Sequence, residues 1–276
     1  MRNLTNTLRQ DDGGRLHYEI AGDGEPVVFL HGFGLDSSMW DPQWQPFAAR
    51  YGAIRYDLRG YGRSGLPAGP YSHTDDLAAL LEALGVESAH LVGLSMGGRI
   101  ALRVAVREPA LVRSLTLVDT ALDGHGWSED WLARWRRMAD AAKQGDGAGA
   151  RRLWWEHPLF DPARERADAA ELLQTMISRY SGWHWRHQDP DLDYSASAPR
   201  MAAISIPTLI VVGGRDLPDF QAIARRVAAE MPNAMLREIA EAGHMANMEA
   251  PAEFNELLLE HLRRCRAPAA PAPSLF

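Results

Sequence analysis

The chain has 276 residues, 46% hydrophobic and 24% charged, a globular balance that excludes a disordered protein and suffices for a core without disulfide or metal staples. Its 36 acidic against 29 basic side chains give a formal charge of −7, so there is no electrostatic case for a nucleic-acid partner. The single cysteine, Cys265, excludes an intrachain disulfide framework and a cysteine-based zinc cluster, and no segment has the apolar run of a signal peptide or membrane span; the chain reads as soluble and cytoplasmic.

The front half alternates short apolar runs with amphipathic stretches. Pro26 to Leu30 reads as a strand ending in His31-Gly32-Phe33-Gly34, and Ala53 to Asp57 as a second strand entering the glycine-rich loop Asp57-Leu58-Arg59-Gly60-Tyr61-Gly62-Arg63-Ser64. Asp75 to Leu84 spaces Leu77, Leu80, Leu81 and Leu84 for one helix face, with Gly85 as its C-cap. A strand over His90–Leu94, a helix over Gly97–Arg107 and a strand over Leu115–Asp119 follow. Strands alternating with helices predict an α/β fold with a parallel sheet covered on both faces.

After Ala121 the texture changes. To about Pro199 there is no apolar strand run, and seven of the nine tryptophans fall here. Pro207 to Gly213 restores the strand pattern, followed by a helix over Phe220–Met231, a strand over Met235–Ile239 and a closing helix over Ala252–Arg263. The expected organisation is a core of residues 1–121 and 200–265, a helical cap over 122–199, and a disordered Pro- and Ala-rich tail over 266–276; a structureless loop as long as the cap would be out of place in a compact domain.

Gly93-Leu94-Ser95-Met96-Gly97-Gly98 carries the strongest chemical signal, because it sits where a strand passes into a helix. Glycines two residues either side of a serine permit a sharp turn that pushes its hydroxyl out at the carboxyl end of the sheet, at a helix N-terminus that favours developing negative charge. A serine needs a base and an orienting acid to act as nucleophile, and this turn predicts the chain order Ser, acid, His. Asp216 follows the strand ending at Gly213, 121 residues after Ser95, and His244 follows the last strand, 28 residues further on. Asp119, also past a strand, is the rival acid; its alternative is a helix-cap or loop role. The backbone N–H groups of Met96 and Phe33 are the expected oxyanion donors, and His31, preceding the nucleophile, reads as a loop organiser.

At these residues, from about Leu16 to Leu262, the chain resembles the α/β-hydrolase superfamily, and the Asp57–Ser64 loop is typical of that group. The resemblance implies an eight-stranded, mostly parallel sheet with a helical cap inserted after the sixth strand. Met39-Trp40-Asp41-Pro42-Gln43, the Gly93–Gly98 motif and His244-Met245-Ala246-Asn247-Met248-Glu249 look like the 3-oxoadipate enol-lactonase group. Enol-lactonases usually carry Ser-Asn-Ser-Leu-Gly-like residues where this chain has His31–Gly34. Carbon–carbon hydrolases of ring-cleavage products typically have Asn before the nucleophile and Trp after the catalytic His; here these are Leu94 and Met245.

The expectation is therefore a serine hydrolase of a small-molecule carboxyl ester or lactone with a Ser95–His244–Asp216 triad and no metal or organic cofactor. Carbon–carbon hydrolysis and a ligand receptor on the same fold are the alternatives, and monomer and homodimer both stay open. Trp127, Trp131 and Trp135 recur every four residues and serve either packing or an aromatic wall over Ser95. Trp135, Trp154 and Trp183 are taken as the substrate-binding tryptophans. Arg134, Arg136, Arg137, Arg151 and Arg152 read mainly as a solvated helical face, with entry of one of them into the pocket, as a clamp for a substrate carboxylate, the open alternative.

Overall fold

A computed structural model describes residues 3–193 and 198–265. The tail over 266–276 and positions 194–197 of the expected cap lie outside the described residues. Eight strands form one sheet in the order β1-β2-β4-β3-β5-β6-β7-β8. They are β1 (Asn3–Arg9), β2 (Arg15–Ala21), β3 (Pro26–Leu30), β4 (Gly52–Tyr56), β5 (Ala89–Leu94), β6 (Val112–Val118), β7 (Thr208–Gly213) and β8 (Ala234–Ile239). The pairs β1–β2 and β2–β4 are antiparallel, and every later pair is parallel. The α/β architecture is thus as expected.

The strands read from apolar runs are the inner ones. β5 and β7 are buried at every position, as strands covered on both faces require. The N-terminal hairpin of β1 and β2 left no comparable signal: along β1 only Leu4 and Leu8 are apolar, and most of that edge strand faces solvent.

The helices of the front half are α1 (Asp41–Ala48), α2 (His73–Ala83) and α3 (Met96–Arg107). Ser72 caps α2 by accepting from the Asp75 N–H, and the turn after it uses Gly85 in a left-handed conformation at φ +67°. α1 was not read from the sequence; two prolines within eight residues, Pro42 and Pro46, hide its periodicity. Between β6 and β7 the chain forms α4 (Glu129–Lys143), α5 (Gly147–Trp155), α6 (Asp161–Arg164), α7 (Ala167–Arg179) and α8 (Trp183–Arg186). The fold closes with α9 (Pro218–Glu230), α10 (Ala246–Glu249) and α11 (Pro251–Arg264). No helix among the described residues is long and apolar enough to cross a membrane.

This topology positions the site. Parallel strands bring their carboxyl ends to one edge, so the segments after β3, β5, β7 and β8 meet there although they are far apart in the chain. After β3 the chain pairs outward to β4 on one side, then returns to lay β5 on the other. That reversal opens a crevice at the strand ends, the usual ligand position in open α/β sheets.

Candidate active site

Ser95 lies between β5 and α3 with φ +54° and ψ −112°, a strained backbone of a kind that costs about 1–3 kcal/mol. The turn is held by its surroundings: the Ser95 N–H donates to Val118 O at 2.9 Å, and Ser95 O accepts from Arg99 N–H at 3.0 Å and Ala121 N–H at 3.1 Å. Its glycines are obligatory for space. A Cβ on Gly93 would stand 2.4 Å from the Gly97 carbonyl, and one on Gly97 would stand 2.2 Å from Leu30 O. The Ser95 side chain does not cap its own helix, and the residue opens onto a cavity of about 360 Å³.

His244 lines the same cavity, and its Nδ1 lies 2.9 Å from Asp216 Oδ2, with both residues buried. Burial holds the imidazole below its ordinary 6.5, down to about 4, although the Asp119 and Glu249 carboxyls favour its charged form. Burial likewise pushes the Asp216 carboxyl up, opposed by the Leu217 N–H, which donates to Oδ1 at 2.7 Å. Both shifts have one cause: removal from water penalises the charged form of each group.

Two further buried carboxyls surround this pair. Asp119, at the end of β6 with φ +42°, accepts from Gly213 N–H at 2.8 Å and so ties β6 to β7 rather than capping a helix. Burial and the neighbouring Asp216 keep its carboxyl well above the usual range. Glu249, on α10, takes the N–H groups on both sides of His244: Gly243 N–H at 2.5 Å and Met245 N–H at 3.0 Å. In the sequence Glu249 stands only as the end of the His244–Glu249 motif, and its spacing of five from His244 is the available signal.

Met96, the first residue of α3, and Phe33, in the loop after β3, both line the cavity. His31 organises that loop as expected: its Nε2 accepts from Leu58 N–H at 2.9 Å, which leaves Nδ1 to donate to Gly32 O at 2.8 Å. The Phe33 ring does what the sequence did not indicate. It lies within 6.3 Å of the rings of Tyr61, Trp135, Trp154, Tyr180, His184 and Trp185, pinning the loop to the helices above. Tyr61 reaches the cavity from the Asp57–Ser64 loop, where Asp57 accepts from the N–H groups of Ser37 and Arg63.

Of the expected tryptophan stripe only Trp131 and Trp135 lie on α4, since Ser128 caps the helix and Trp127 precedes it; all three nonetheless line the cavity together with Trp154 of α5. Trp183 does not. Its ring stacks on His187 at 4.8 Å, and His184, the next residue on the short helix α8, lines the cavity instead. The arginine question resolves differently from expectation: the arginine in the cavity lining is Arg99 of α3, not one of the five on α4 and α5. Among the described residues no cluster of three or more His, Cys, Asp or Glu side chains could hold a metal ion.

Sheet order, strained serine turn and acid–imidazole pair together define the class of the α/β-hydrolase fold. Comparison with known proteins agrees: residues 25–251 match the family described as alpha/beta hydrolase fold, and the chain belongs to it. It is 32% identical over 255 residues to a protein of Azorhizobium caulinodans assigned as the carbamate hydrolase RutD, covering 88% of this chain and 93% of that one. It is 27% identical to the 3-oxoadipate enol-lactonase 1 of Acinetobacter baylyi, covering 89% and 92%. Among solved structures, Est816, described as an N-acyl homoserine lactone degrading enzyme, superposes with a TM-score of 0.78 at 33% identity, covering 92% of this chain and 99% of that one. Hydrolases, esterases and lactonases are thus its relatives.

Proposed function

We propose that the protein hydrolyses a small-molecule carboxyl ester or lactone through an acyl-enzyme, with Ser95 as nucleophile, His244 as general base and Asp216 as the orienting acid. The observation that carries this reading is the buried 2.9 Å contact of His244 Nδ1 with Asp216, the imidazole opening onto the cavity that also holds Ser95. With Nδ1–H directed at Asp216, Nε2 is the basic nitrogen. It takes the proton as Ser95 Oγ attacks the carbonyl, and Asp216 stabilises the imidazolium. The N–H groups of Phe33 and Met96 receive the oxyanion, a contribution of about 3–4 kcal/mol for each such donor. His244 protonates the leaving alkoxide, and water releases the acyl group by the reverse sequence. Residues 122–199 act as the cap on a core of residues 1–121 and 200–265, and the tryptophans on α4 and α5 form the wall against which the substrate packs.

The test is proton release in a pH-stat, comparing wild type with Ser95→Ala on aryl esters, simple lactones and a ring-cleavage dienoic diketone. Fast release from esters or lactones that drops on the order of a million-fold in Ser95→Ala supports the reading. Release from the diketone alone would replace it with carbon–carbon hydrolysis, and activity retained in Ser95→Ala would remove the nucleophile assignment.

A further inference from the structure

That reading leaves several polar groups of the cavity without a role. Arg99 and Asp189 both line it. Arg99 lies on α3 one helical turn beyond Ser95, about 6 Å further along the axis. Its Nε is buried without a hydrogen-bond partner among the described residues, and the carboxylate oxygen paired with it, Asp123 Oδ1, is 3.8 Å away. Asp123 itself is gripped by Arg103 through Nε and Nη2, both at 2.7 Å, while Arg103 Nη1 holds Asp191 at 2.8 Å. Asp189 accepts from the Tyr71 hydroxyl through Oδ1 at 2.9 Å, and its Oδ2 stands 3.8 Å from His184 Nε2, beyond hydrogen-bond range. His184 Nε2 is likewise buried with no hydrogen-bond partner among the described residues. Arg99 and Asp189 thus reach the cavity wall with hydrogen-bonding capacity that their long protein contacts do not use up.

We propose that Arg99 and Asp189 form a recognition pole for a neutral carboxamide on the substrate, the guanidinium donating to its carbonyl oxygen and the carboxylate accepting from its N–H. The proposal rests on the ester or lactone hydrolase reading and deepens it by naming a substrate class. A carboxylate is the simplest partner for an arginine, but the surrounding charges count against it. Two guanidinium groups, Arg99 and Arg103, stand among three carboxyls, Asp123, Asp189 and Asp191. An entering anion gains Arg99 and meets Asp189, and an ammonium meets the reverse. A carboxamide carries an acceptor and a donor on one planar group, and it spares an aromatic-walled cavity the cost of desolvating an ion.

The experiment uses aryl esters of one acyl chain length ending in carboxamide, methyl ketone, carboxylate or isopropyl, and a second series with the same end groups on the alcohol side. In one of the series kcat/KM should rank carboxamide above methyl ketone above isopropyl, with carboxamide exceeding isopropyl at least about tenfold. Arg99→Leu should erase the advantage of ketone over isopropyl, and Asp189→Ala that of carboxamide over ketone. A second readout is independent of turnover: quenching of the cavity tryptophans in Ser95→Ala by a simple alkyl amide, compared with the matching carboxylate. Tighter binding of the amide, lost in Ser95→Ala/Arg99→Leu, supports the pole even if no ester is cleaved, so failure of the hydrolase reading and failure of the pole are told apart. Preference for the carboxylate in either readout, or four end groups that rank alike together with equal binding of amide and carboxylate, overturns the proposal.

Discussion

The carboxyl edge of the sheet and the helices between β6 and β7 build two halves of one cavity by opposite means. At the sheet edge the backbone carries the constraint: Ser95 at φ +54°, Asp119 at φ +42°, and glycines at 93 and 97 with carbonyl groups where a side chain would begin. Across the cavity most of the backbone is helix, Trp127 just ahead of α4 aside, and the constraint lies in large side chains, four of them tryptophans. Strained, over-determined backbone holds reacting atoms to a fraction of an ångström, whereas a wall of rings supplies area and shape. The first tolerates almost no substitution, and the second can be recut with the fold intact.

The sharpest way to break that contrast is at the acid. Asp216→Asn should cost about four orders of magnitude in kcat by disturbing the imidazole tautomer, while Asp119→Asn, which touches Gly213 N–H rather than His244, should cost far less. Steady-state kinetics on one ester decides it, and the reverse ranking would move the acid to the end of β6. A paired glycine test comes next. Gly97→Ala should destabilise the protein by about 1–3 kcal/mol or more in denaturant unfolding, because its Cβ overlaps Leu30 O. Gly126→Ala, ahead of α4 with nothing within 4 Å of the added carbon, should be neutral or slightly stabilising. Equal losses would mean that the helical segment is as backbone-critical as the sheet edge.

Smaller effects sharpen the comparison further. Glu249→Gln puts an amide N–H₂ against one of the two N–H groups flanking His244, and misplacement of the imidazole should lower kcat about tenfold to a hundredfold. If Glu249 positions the base, KM should stay nearly constant; a change confined to KM would make it a substrate contact. The smallest effect belongs to the wall. Trp135→Ala should shift the preference between bulky and small acyl groups by a few-fold, whereas Trp183→Ala, stacked on His187 away from the cavity, should leave it unchanged.

Much of the sheet edge was legible in the sequence because its signals are local. A run such as Pro26–Leu30 reads as a buried strand from composition, a serine between spaced glycines reads as a tight turn, and chain order relates Ser95, Asp216 and His244. The segment after Ala121 was legible only as helical and tryptophan-rich. Which ring faces the cavity depends on how α4, α5 and α8 pack, so His184 rather than Trp183 stands in the wall, and the cation there is Arg99 of α3 rather than an arginine of α4 or α5. Glu249, Tyr61 and Asp189 reach the site from three separate segments, and no pattern in one dimension joins them.

The sequence by itself determined the family, the strand-and-helix alternation and the order of three chemically distinct residues, since these follow from periodicity, turn stereochemistry and side-chain type. Tertiary structure decided which acid meets the imidazole, which arginine enters the cavity and where each aromatic ring lies. Those outcomes depend on distances between segments remote in the chain, and packing sets such distances, not local conformational preference.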